Sequence, residues 1–130
     1  MLVIKQSQIQ HFIASDEEEL VRVVRDGVRA ANAERVADYD DEKLAEMVKF
    51  GIERARSHKI ERAETIAAFV AVMLEIAPNF DEQEQIKMVL EDGNFPPDER
   101  FFQLFERVPE ESWQAAENLY DARIWFPDKV

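Results

Sequence analysis

Leu44, Met47, Val48, Gly51, Ile52 and Ala55 recur three and four residues apart, and Glu42, Lys43, Glu46, Lys49, Glu53 and Arg56 fall mainly between them. That period puts the apolar positions on one stripe of a helix and the charges on its other sides. The spacing therefore predicts an amphipathic helix opened by Asp40 or Asp41 and running to about Ser57, followed by a turn at "SHK" and re-entry of Ile60 into the core. Gly51 sits on the apolar stripe. With Ala55, one turn on, it forms a notch of small residues where a neighbouring backbone can come close. His58, in the turn, reads as a solvated residue or as a cation at a helix C-terminus.

The same period locates the other elements. "MLVIK" alone has strand character and reads as a short extended arm. Ser7 with Gln10 fits a capping box, and so does Ser15 with Glu18, which opens a helix with the stripe Leu20, Val21, Val24, Val28 and Ala31. Residues 62–76 are apolar nearly all round, the pattern of a helix buried among neighbours, and Pro78 ends it. Asp81 caps a short helix with Glu84 at the capping-box position, and Gly93 stops it. Pro97 begins a helix with the stripe Phe101, Leu104, Phe105 and Val108. After Pro109 the last run buries Trp113, Ala116, Leu119, Tyr120 and Ile124, and "WFPDKV" is a tail. These elements describe an all-α chain: one compact domain over residues 1–130, an orthogonal or antiparallel bundle of six to seven helices joined by short connections.

Composition changes little of this. With 46% apolar residues the chain can bury a core, and three glycines and five prolines are too few for an all-β fold. No cysteine is present, which excludes disulfides and thiolate metal sites. No apolar run is long enough for a signal peptide or a membrane span, so the expectation is a soluble, cytoplasmic protein. Charge is more informative. The net charge is −12, and residues 81–130 hold 13 acids against 5 bases. Such a field repels nucleic acid and anionic membranes and speeds encounter with basic proteins. It also serves simple solubility.

Catalytic chemistry finds little footing. His11 and His58 lie in different elements with no metal-ligand spacing, glycine-rich phosphate loops are absent, and there is no nucleophile elbow. "DYDDE" lacks the glycine and the final glutamate of a calcium loop. No catalytic residue, metal site or cofactor is expected. The residues that suit a binding surface are Phe102, set off the stripe of its neighbours, and Trp125 and Phe126, in the tail. Around them lie acids such as Glu110, Glu111 and Glu117. The competing reading is that the aromatics close a small core.

"MLVIKQSQIQHF", "KFGIERARSHKI", "IAAFVAVMLEIAPNFD" and "DERFFQLFE" resemble a family of small helical proteins encoded beside effector and spike-protein genes of bacterial type VI secretion systems. The resemblance covers residue 1 to about 107. It departs at "SHKI", where such proteins often have an aromatic–glycine turn, and at Ala77, where glycine is common. It carries over no functional residue. It implies a partner, a secreted toxin or effector or a spike protein with a basic surface, for which this chain would serve as immunity protein, chaperone or adaptor. An enzyme using helix-borne carboxylates around "FDEQEQ", and a structural protein that forms homo-oligomers through its aromatic tail, are the alternatives.

Overall fold

A computed structural model describes residues 17–125. The expected extended arm, the Ser7 helix, the Ser15 cap and Phe126 lie outside them. The described chain is all-helical, with α1 Glu17–Ala31, α2 Ala33–Val36, α3 Asp41–Ser57, α4 Ala63–Glu75, α5 Glu84–Leu90, α6 Pro97–Arg107 and α7 Glu110–Asn118. Two 3-10 turns, Phe80–Glu82 and Ala122–Ile124, complete it. The single turn α2 has no counterpart in the sequence pattern. It closes the loop after α1 by burying Val36, and Arg29 holds that loop by donating to the carbonyls of Val36 (3.3 Å) and Tyr39 (2.8 Å). Ala31, expected on the α1 stripe, is exposed beside it.

Helix α4 is the centre, in contact with α1, α3 and α6. Its all-round apolar surface is buried accordingly, from Ala63 and Ile66 to Phe69, Val70 and Met73. Where α3 crosses α4, Gly51 faces Val70. A Cβ at Gly51 would lie 2.7 Å from Val70 Cγ2. The close neighbour is thus a side chain rather than the expected backbone. Within α4 the Thr65 hydroxyl is fully buried and has no hydrogen-bond partner among the described residues. An orphaned buried hydroxyl costs about 1–3 kcal/mol, so Thr65→Val, nearly the same shape without the hydroxyl, is expected to raise stability by about 1 kcal/mol. Urea denaturation of the two proteins checks this.

The turn after α3 is a Schellman motif. Lys59 N–H donates to the Arg56 carbonyl (2.9 Å) and Ile60 N–H to that of Ala55 (3.3 Å), with Ile60 and Ala55 both buried. The motif requires a left-handed residue, and Lys59 supplies it at φ 67°. Since a side chain is strained there by about 1–2 kcal/mol and glycine is not, Lys59→Gly is expected to stabilise the chain by up to ~1 kcal/mol. A lower melting temperature would contradict the assignment.

The C-terminal third differs most from expectation. The stripe of α6 buries Phe101 and Leu104, but Phe105 is 54% exposed. Helix α7 ends at Asn118, so Leu119 and Tyr120 lie beyond it and are exposed instead of buried.

Candidate protein-binding face

Helix α6 is held in place from its first turn. Arg62, the residue just before α4, gives that helix no side-chain cap. The Asp98 carboxylate of α6 accepts from the backbone N–H groups of Glu61 (3.2 Å) and Arg62 (3.0 Å), and so ties one helix start to the other. Phe101 then enters the core against Phe69, ring centroids 5.8 Å apart. Its neighbours on α6 are left outside. Phe102 is 40% exposed, as expected from its position off the stripe, and meets Phe101 edge-on at 5.3 Å. Phe105 meets Phe101 edge-on at 5.4 Å and stacks on Trp113 of α7 at 5.7 Å, with the rings 14° from parallel. Trp113 in turn stacks on the buried Phe80 at 6.2 Å. A continuous set of rings therefore runs from the core to the surface of α6 and α7.

Exposed carboxylates lie on the same two helices. Glu99 and Glu106 on α6, with Glu110, Glu111 and Glu117 on α7, are exposed, and none forms an ion pair among the described residues. The nearby arginines already have partners within the chain. Arg100 donates to the Phe95 carbonyl (2.7 Å), and Arg107 pairs with Asp92 (2.8 Å).

The structure separates the other expected surface aromatic from this face. Trp125 is 2% exposed, which corrects its assignment as a binding residue. The chain after α7 folds back instead of trailing off, because Asn79 grips it: its side-chain amide donates to the Leu119 carbonyl (2.9 Å), and its side-chain oxygen accepts from Asp121 N–H (3.0 Å). The turn Ala122–Ile124 then delivers Trp125 to the core.

A second polar cluster lies inside the bundle. Asp81 does not cap a helix; the Gln83 side chain caps α5 by accepting from Ile86 N–H (3.0 Å). Asp81 is 5% exposed. It receives Arg54 Nη2 at 2.7 Å and Nε at 3.0 Å, and His58 Nε2 at 2.6 Å. Burial pushes the Asp81 carboxyl upward, but the hydrogen bonds from His58 and Arg54 outweigh it and hold the group below its usual range. An ionised carboxylate only accepts, so His58 Nε2 is the donor. His58 also lies against the Phe69 ring at 5.6 Å. It is a partly buried structural partner of Asp81, not the solvated turn residue its position suggested.

Phe102, Glu110, Glu111 and Glu117 are all exposed, and stacking of Phe105 on Trp113 links the two helices that carry them. The sequence pattern put both rings on buried stripes; Trp113 is partly buried against the core, but Phe105 is exposed. Among the described residues no three metal-ligating side chains come together, and no helix is long and apolar enough to cross a membrane. Comparison with family models, curated proteins and solved structures finds no match.

Proposed function

We propose that the chain is a non-catalytic protein-binding module that captures a basic partner on α6 and α7. The observation that carries this reading is the pair of exposed rings, Phe102 and Phe105, on a helix whose exposed glutamates form no ion pair among the described residues. Exposed aromatics of this kind are the anchors of protein interfaces, and surrounding charges guide encounter. The resemblance of residues 1 to about 107 points to a secreted effector or a spike protein of type VI secretion as that partner. In this reading the chain acts in the cytoplasm as immunity protein, chaperone or adaptor. The enzyme alternative draws on a carboxylate with a raised pKa. The shifted carboxylates among the described residues, Glu19, Asp81, Asp92 and Asp121, all lie below their usual range, which gives that alternative no support. Homo-oligomerisation through the tail loses Trp125, its larger anchor, to the core.

Co-expression with candidate effectors, followed by binding kinetics across a salt series, tests the proposal. Rim charges act on association and are screened by salt. Replacing Glu110, Glu111 and Glu117 together by glutamine is expected to slow association by about threefold to tenfold at low salt and to flatten its salt dependence. Phe102→Ala is expected to speed dissociation, whereas Trp125→Ala would act through folding. Association indifferent both to salt and to the triple substitution would locate the interface elsewhere.

A further inference from the structure

Phe102 has Glu99 three residues before it and Glu106 four residues after it. Trp113 has Glu110 and Glu117 at the same two offsets. Both offsets return to one side of a helix, so each ring is flanked by two carboxylates, and Phe105 bridges the two sets by stacking on Trp113. Beside this face the fold shows what such a pairing can hold. The Arg107 guanidinium carbon lies 5.9 Å from the centre of the Phe95 ring, while its Nη1 bonds Asp92 at 2.8 Å. Phe102 presents the same two groups, ring and carboxylate, with no ion pair among the described residues occupying Glu99 or Glu106, whereas Trp113 is partly buried and already stacked on Phe80 and Phe105.

We infer that the α6–α7 face takes an arginine-bearing segment of its protein partner, with a guanidinium stacked at Phe102 between Glu99 and Glu106 and an apolar side chain against Phe105. The inference rests on the protein-binding reading and names the chemistry that is bound. Arginine is favoured over lysine because its planar cation stacks on rings, bonds carboxylates in a bidentate fork and sheds water more readily.

The test is calorimetric titration of the full chain with a blocked peptide carrying a Leu-Arg pair among alanines, and with its lysine counterpart. The arginine peptide is expected to bind about threefold tighter than the lysine peptide. Phe102→Leu, which keeps an apolar side chain but removes the ring, should reduce that preference. Joint Glu99→Gln and Glu106→Gln should weaken the arginine peptide by about tenfold. Joint Glu34→Gln and Glu42→Gln, equal in charge but placed on α2 and α3, should leave it unchanged. Equal affinity for the two peptides, wild-type affinity in the Glu99/Glu106 variant, or no binding of either peptide would overturn the inference. If an effector still associates in a manner sensitive to the triple glutamine substitution, the binding-module reading survives that failure. If no effector associates, the reading itself falls.

Discussion

Asp81→Ala is expected to destabilise the chain by about 3 kcal/mol, the lower end of the range for removing one partner of a buried ion pair. The substitution leaves Arg54 with Glu82, 3.1 Å away, as its one remaining carboxylate partner among the described residues. It also strips His58 of its acceptor. The lower end applies because the Arg54 side chain keeps 21% exposure and so retains some hydration. The same contact sets a pH dependence. The folded-state pKa of Asp81 lies below the unfolded one, so its contribution is complete above the ordinary carboxylate range, about pH 4, and is lost as pH falls through the lower folded value. Urea denaturation at neutral pH and below pH 4 should show wild-type stability falling with acid and a smaller fall in Asp81→Ala. Identical acid dependence in the two proteins would mean that Asp81 is not held by these partners.

Gly51→Leu is expected to cost about 3 kcal/mol, the upper part of the range for overpacking a core, and to lower the melting temperature by roughly 10 °C. The Cβ alone would stand 2.7 Å from Val70 Cγ2 and 3.2 Å from Cγ1. Val70 is β-branched, with one preferred rotamer in a helix, so it cannot swing aside as a flexible chain would. The remaining leucine atoms must then push α3 from α4, the two helices that carry the centre of the fold. Gly51→Ala is expected to be milder, since alanine gains up to ~1 kcal/mol of helix propensity against the same contact. Adding Val70→Ala to Gly51→Leu should recover part of the loss. An unchanged melting temperature for Gly51→Leu would put Gly51 on the wrong face.

The helices that carry a clean period were legible in the sequence. Helix α3 runs from Asp41 to Ser57 with Asp40 as its cap, and the nearly uniform apolar surface of residues 62–76 identified the central helix. What was not legible depends on partners far along the chain. Asp81 stands where an N-cap would, and nothing local distinguishes that role from pairing with Arg54, 27 residues away. Trp125 follows the last helical pattern, and only the Asn79 grip on residues 119 and 121 shows that this segment turns inward. Phe105 has the spacing of a buried residue, but among the described residues α6 packs mainly on α5, and that side of the helix is left exposed. For the candidate face, Phe102 and the glutamates of α7 could be named from the sequence. Their junction through Phe105 and Trp113 could not, because ring stacking between two helices leaves no period. The repeated spacing of glutamate three before and four after an aromatic was present as a signal, at Phe102 and again at Trp113.

The proposed capture of a protein by α6 and α7 is tested most directly by amide hydrogen exchange of the full chain alone and in complex with any protein found to co-purify with it. Protection gained on binding is expected over residues 97–118, with the exposed outer side of α1 and α2 unchanged. Protection confined to α1, α2 or α3, with residues 97–118 exchanging as in the free chain, would contradict the claim.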